Sequence, residues 1–519
     1  MKQKYFIIML TASMMLAPAS LMAQKKKGKK PTKTTVVKKD TLTVLTEKAK
    51  AGDANAQNNL GLWYYTGTNV EKNYTTALKY WALSAAQNNA EAIGNMAMCY
   101  QLGRGTKNNK PDSVMASKLY KKAFKEGNIN VLKQHTELAD KQNKPFSIML
   151  LLDYFTEKHD QANIQKYLRK ASDLGDTESQ VRQAMAYLNG KNTAAAVKLY
   201  KLLADKGNLT GIYYYGYMTF KGMGTNQDKA QGIQYLQRAA DKGVTDAYRM
   251  LGRIYYEGDG TEKDITKAID YLKKAAAGKR GDSQLLLAQC YQNGQGVKKD
   301  FDQAAQWLAE AFKHGQQKEV TKFVEDSKNA PFGEYIEGLK KYCIDKDYSA
   351  ASEHFKKVEK AGIDDGLAMQ ALILADDNNP KNNVKKAFKL MTKAEGTSTV
   401  AKYYLSQMYQ DGKGVEKDVK KAVELILSAA DAGNGYAQEK VGNMYFSGTD
   451  VTQDYVKAVD YYLQAEAQSK LTTTSAANLS KCYTMGISNL PDKNKSKERI
   501  EQLKKVTTTD NLSDMLKKL

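Results

Sequence analysis

Apolar positions between Asp246 and Gly278 fall into two short runs at helical spacing. Ala247, Leu251, Ile254 and Tyr255 lie three and four residues apart and share one helical face. Gly258-Asp259-Gly260 closes that run, since glycine accepts the left-handed backbone of a helix end. Asp264 opens the second run as an N-cap, its carboxylate taking an otherwise unpaired amide. Ala268, Tyr271, Leu272 and Ala275 supply the second apolar face, and Gly278 ends it. The pattern predicts a hairpin of two short antiparallel helices.

The hairpin repeats. Gly222, Gly258 and Gly294 are 36 residues apart, as are Gly412 and Gly448. Tyr255, Tyr291, Tyr409 and Tyr445 stand three residues before such a glycine, as do Tyr64 and Tyr100. The capping aspartates Asp228, Asp264 and Asp300, then Asp418 and Asp454, keep the same period. A fixed period of this length means stacked supersecondary units. Gly216, Gly252 and Gly442 recur in the middle of the first helix, with Ala288 in the same register. Glycine costs about 1 kcal/mol there relative to alanine. The economical reason is a neighbouring helix passing too close for a larger side chain. The pairs Ala239-Ala240, Ala275-Ala276 and Ala429-Ala430 make the matching small surface on the second helix.

On these residues the chain resembles the Sel1-like repeat family, a relative of the tetratricopeptide repeat. Leu251, Gly252, Tyr255, Gly258, Gly260, Asp264, Lys267, Ala268, Ala275 and Ala276 carry the pattern in one unit. Tyr409, Gly412, Gly414, Val415, Asp418, Lys421, Ala422, Ala429, Ala430 and Gly433 carry it in another, and Leu60, Gly61, Tyr64 and Gly67 begin it in the first. The expected fold is all-α, an α/α superhelix (solenoid) of about 11–12 helix-hairpin repeats. A first block covers 43–315, degenerate near 129–176. Degenerate repeats follow over 316–397, a second block over 398–490, and closing helices over 491–519.

The resemblance implies an adaptor role, with the first helix of each hairpin lining a concave face. Three register positions around the mid-helix glycine then point inward. They hold Tyr213, Tyr217 and Phe220, then Arg249, Arg253 and Tyr256, with Tyr403, Asn443 and Phe446 in the second block and Tyr65 in the first unit. Aromatic and arginine side chains are the types most enriched in binding hot spots.

The N-terminus adds a compartment. Lys2 and Lys4 precede an apolar run from Tyr5 to Leu16 and small residues up to Ala23, the order of a secretory signal peptide. The expectation is export to the periplasm, cell surface or medium, with cleavage after Ala23, or alternatively after Ala19. The stretch Gln24–Asp40 holds eight lysines against one aspartate, and 24–42 reads as a disordered linker. With a formal charge of +22, the chain is matched to anionic envelope polymers or lipid head groups through Lys25–Lys39. Export argues against nucleic acid as the partner.

Chemistry is sparse. Of the cysteines Cys99, Cys290, Cys343 and Cys482, the three in one register, Cys99, Cys290 and Cys482, lie too far apart in a solenoid for the roughly 5.5 Å between Cα atoms that a disulfide needs. They read as small buried residues. His135, His159, His314 and His354 have no partner at metal spacing, and no phosphate-loop or nucleophile motif occurs. No cofactor, metal or catalytic residue is expected. The leading expectation is a non-enzymatic scaffold for protein segments in the bacterial envelope. Binding of envelope glycan or an anionic surface is the alternative, and a hydrolase with a site assembled across repeats is the third reading.

Overall fold

The computed structural model describes residues 41–487, 496–506 and 510–519. The stretch read as a signal peptide and nearly all of the lysine-rich stretch read as a linker lie outside the described residues. Within the described residues the chain forms 28 α-helices and no strand. It divides into two compact units, residues 1–167 and 168–519.

The hairpin assembles as its residues dictate. Helices Thr245–Glu257 and Ile265–Ala277 pack on each other through Ala247, Leu251, Ala268, Leu272 and Ala275, all buried. Gly258 ends the first helix at φ 75°, a conformation that a side chain would strain. The Asp264 carboxylate accepts from the Lys267 amide at 2.9 Å. Asp228, Asp300, Asp418 and Asp454 each cap a second helix in the same way. The four thiols are unpaired, and three of them are buried. Burial pushes Cys99 up to about 12, the state of an unreactive core thiol.

In residues 1–167, hairpins 54–85 and 90–125 are regular, and helix Thr41–Lys50 packs on the first of them. It starts inside the stretch read as disordered to residue 42. Helices Ile129–Gln142 and Pro145–Glu157 follow without the repeat's glycine and tyrosine marks. His135 is buried there among Tyr120, Phe124 and Phe146, with its Nδ1 2.9 Å from Ser147 Oγ.

In residues 168–519 the second helix of one repeat, Phe301–Lys313, is buried on every side from Phe301 to Ala311. Nearest-neighbour stacking does not predict this. Asp365 accepts from the Phe301 amide at 2.6 Å, and Thr399 donates to Asp300 at 2.6 Å. Ser469 and Asn511 donate to Glu310 at 2.9 and 2.5 Å. Later repeats therefore fold back onto this helix. The C-terminal helix Asn511–Lys518 packs against it too, burying Leu512, Met515 and Leu516, whereas Ser496–Leu503 lies on the last repeat helix, Thr473–Met485. Helix Pro331–Lys340 runs into a single π-turn, Lys341–Asp345.

Candidate functional site

Three consecutive first helices, Leu209–Lys221, Thr245–Glu257 and Gly281–Asn293, wall a cleft of about 570 Å³. Five residues singled out from the register line it: Tyr217, Phe220, Arg249, Arg253 and Tyr256. The period of 36 residues explains the grouping, because it returns the same helix face once per repeat. Leu285 and Gln289 also line the cleft. They occupy the same register around Ala288, so extending the rule to that unit would have found them.

Burial separates the five. Phe220 is 1% exposed and belongs to the core. A Cβ on Gly232 would stand 2.6 Å from the Phe220 Cβ, so the two helices pass closely at this residue. Tyr213 is also buried, stacked on Tyr217 with ring centroids 6.3 Å apart. Burial pushes its hydroxyl above the ordinary tyrosine value, against the nearby Arg249. Tyr217, Arg249 and Tyr256 are half-buried, and Arg253 is exposed.

Both arginines in the cleft are paired. Arg249 lies 3.2 Å from Asp282 and 3.4 Å from Asp246, which also holds Arg280 at 2.8 Å. Arg253 bridges to Glu257 at 2.7 Å, one turn along its own helix. The Tyr256 hydroxyl donates to Gln295 at 3.0 Å, and burial raises its pKa so that it remains a donor. Below these groups Met250, Ile254, Leu285 and Leu286 form an apolar floor. The arrangement can bury apolar side chains and offer charged and amide hydrogen bonds to a backbone.

The remaining register residues lie elsewhere. In residues 1–167, Tyr65 is buried against Tyr74 and Trp81, its hydroxyl taking a bond from Arg104. Tyr403 is half-buried beside Tyr404 and Tyr436, and burial pushes its pKa up to about 12. Asn443 donates to Glu439 at 2.9 Å and accepts from Tyr462 at 2.8 Å. Phe446 packs edge-on to Tyr455, with Lys481 Nζ 5.7 Å from its centroid. None of these three reaches the 570 Å³ cleft.

Among the described residues no group of three His, Cys, Asp or Glu side chains could hold a metal ion. The His135–Ser147 pair has a hydrogen bond of nucleophile–base type, yet both residues are buried and no substrate could reach them. No helix of the described residues is long and apolar enough to cross a membrane.

Comparison with known proteins agrees with the repeat. The family model "Sel1 repeat" matches residues 54–89, 90–128, 165–176, 177–208, 210–244, 245–279, 281–316, 377–395, 399–434 and 435–470. No curated protein matches the chain. Among solved structures, c5321, a protective antigen of uropathogenic Escherichia coli strains displaying an SLR fold, is 23% identical, with 92% of this chain and 97% of that one covered and a TM-score of 0.34. A Sel1 repeat protein from Oxalobacter formigenes is 23% identical over 62% of this chain and 89% of its own, with a TM-score of 0.31. Yeast Tom70 is 16% identical over 81% and 96%, with a TM-score of 0.21.

Proposed function

This chain belongs to the Sel1 repeat family, and from that premise we propose that it is an exported scaffold that holds protein segments in the cleft of residues 217–289. Repeat proteins of this family generally bind protein partners and are generally non-catalytic. The observation that carries the proposal is the cleft itself: an apolar floor, half-buried tyrosines and paired charges on three successive first helices. Tyr256 and Arg253 are the contact residues, with Gln289 positioned to bond a peptide backbone. The basic run and apolar stretch before Ala23 support export, to periplasm, surface or medium.

A photo-crosslinking residue at Gln289 in the producing cell tests this reading. Capture of a discrete protein, lost with Arg253→Ala plus Tyr256→Ala, is expected. Capture that ignores both substitutions overturns the cleft as the site.

The eight lysines between Gln24 and Asp40 support a second reading, attachment to an anionic envelope polymer or membrane surface. Co-sedimentation with purified cell wall should weaken as salt rises and after deletion of 24–40. Binding that survives both would remove the electrostatic reading.

A further inference from the structure

The repeat pattern breaks between residues 317 and 376, which the family model leaves unmatched. The π-turn Lys341–Asp345 lies inside this break. It ends the helix Pro331–Lys340, with Lys346 in the left-handed region behind it. Beside it is a cavity of about 300 Å³, distinct from the 217–289 cleft. Leu372, Met391 and Met408 form its apolar part, with both methionines buried. Tyr342, carried on the π-turn, and Tyr404 add half-buried aromatic walls. Asp376 and the exposed Asp411 add two carboxylates.

These carboxylates stand apart in a chain of 79 lysines and arginines against 57 acids. The Tyr342 hydroxyl donates to Asp376 at 3.1 Å, and the Asn378 amide donates to it at 2.9 Å. Burial works against the charge of Asp376, but these bonds outweigh it and hold the group below the usual carboxylate value. Lys413 on the rim is 3.3 Å from Asp377 and is engaged there. Among the described ion pairs none uses Asp376 or Asp411. Lys346 Nζ already lies 5.9 Å from the Tyr342 centroid, so an ammonium is a matched neighbour for that wall.

We propose that this pocket receives the side chain of a lysine or arginine presented by a partner protein. The apolar stem would lie along Leu372, Met391 and Met408, and the cationic head would meet Tyr342, Tyr404, Asp376 and Asp411. An amphipathic cation is the ligand that uses both halves of such a lining. A neutral apolar side chain would leave the two carboxylates without a counter-ion, and an anion would be repelled. The partner's being a protein rests on the scaffold reading. The pocket's choice of cation does not.

The test uses the mature full-length chain with methyl-labelled methionine, observed by NMR. Pentylammonium is the probe and pentanol its neutral counterpart. Pentylammonium should shift the Met391 and Met408 methyl signals saturably, at least about tenfold more tightly than pentanol. Asp376→Asn and the exposed Asp411→Asn should each weaken pentylammonium, with the other methionine signals unmoved as proof of fold. Equal affinity for the two probes, no saturable shift, or variants without effect would each overturn the proposal. Failure here leaves crosslinking at Gln289 untouched, so the two readings fall separately.

Discussion

At the scale of single residues, the mid-helix glycines are explained by contact and ranked by it. A Cβ on Gly252 would lie 2.9 Å from the Leu272 side chain and 3.3 Å from its amide nitrogen. On Gly216 it would lie 2.9 Å from the Tyr235 Cβ, 3.0 Å from the Leu236 nitrogen and 3.1 Å from the Gly232 oxygen. A leucine side chain can swing away, but backbone cannot. Gly252→Ala should therefore stay within about 1 kcal/mol of the natural chain, because gained helix propensity offsets crowding. Gly216→Ala should be clearly destabilising. Leucine at either position should cost about 1–3 kcal/mol or more by forcing helices apart. Urea midpoints for the four variants check the order. A Gly216→Ala midpoint at or above that of Gly252→Ala would refute the backbone-contact explanation.

At the scale of elements, caps that look alike in sequence differ in the fold. Asp264 and Asp300 hold the same register, and each accepts a bond from the third amide beyond it. Asp264 does only this, and Asp264→Ala should cost about 1 kcal/mol and quicken hydrogen exchange over 265–277. Asp300 is 2% exposed and also takes the Thr399 hydroxyl from a repeat 99 residues away. Asp300→Ala should cost more and quicken exchange around 399–411 as well as 301–313. Exchange confined to 301–313 would show that the long-range bond contributes nothing. The hairpin and its caps were legible because they depend on neighbours in the chain. The second role of Asp300 was not, because no local pattern records what lies across a fold.

At the scale of the whole molecule, residues 168–519 do not behave as a ladder of independent rungs. Helix Ile265–Ala277 touches Tyr455–Ala467, and Asn511–Lys518 seals Phe301–Lys313. Damage from Gly252→Leu should therefore reach 455–467, beyond the adjacent repeats. Deleting 510–519 removes Leu512, Met515 and Leu516 from the core, each worth about 1.5–3 kcal/mol, and takes Asn511 from Glu310. Thermal melting should show a large loss confined to residues 168–519, and an unchanged midpoint would contradict the closure. One buried group in each unit should also answer pH with opposite sign. Burial lowers His135 to about 4, so the folded form resists a proton that the unfolded chain takes below 6.5. Its contribution to residues 1–167 is lost as pH falls from 6.5 toward 4. In the second unit burial, and then the charge of Asp300, raise Asp302 to about 7, against Lys470. Tyr335 also faces this carboxylate, and Asp300 and Asp365 beside it are raised by their own burial. The folded form holds the Asp302 proton well above the ordinary 3.8, so that contribution is lost as pH rises toward and through 7. Exchange corrected for intrinsic rates can follow each unit separately, and Asp302→Asn should weaken the response of the second alone, with Asp300 and Asp365 carrying the remainder.

Helical hairpins, their period, their caps and the small-residue contacts follow from the sequence by itself. Each depends on residues within one repeat or in equivalent positions of adjacent repeats, and a 36-residue period fixes both. Tertiary structure alone decided which register residues keep a free face. Phe220, Tyr213 and Tyr65 share the pattern of Tyr256 yet lie in the core, because the closeness of neighbouring helices sets burial, not the register. It alone decided that Phe301–Lys313 is enclosed and that the C-terminal helix ends against it. It also placed Asp376 and Asp411 around one cavity where the repeat breaks. Those contacts join residues that no period relates, so no single repeat records them.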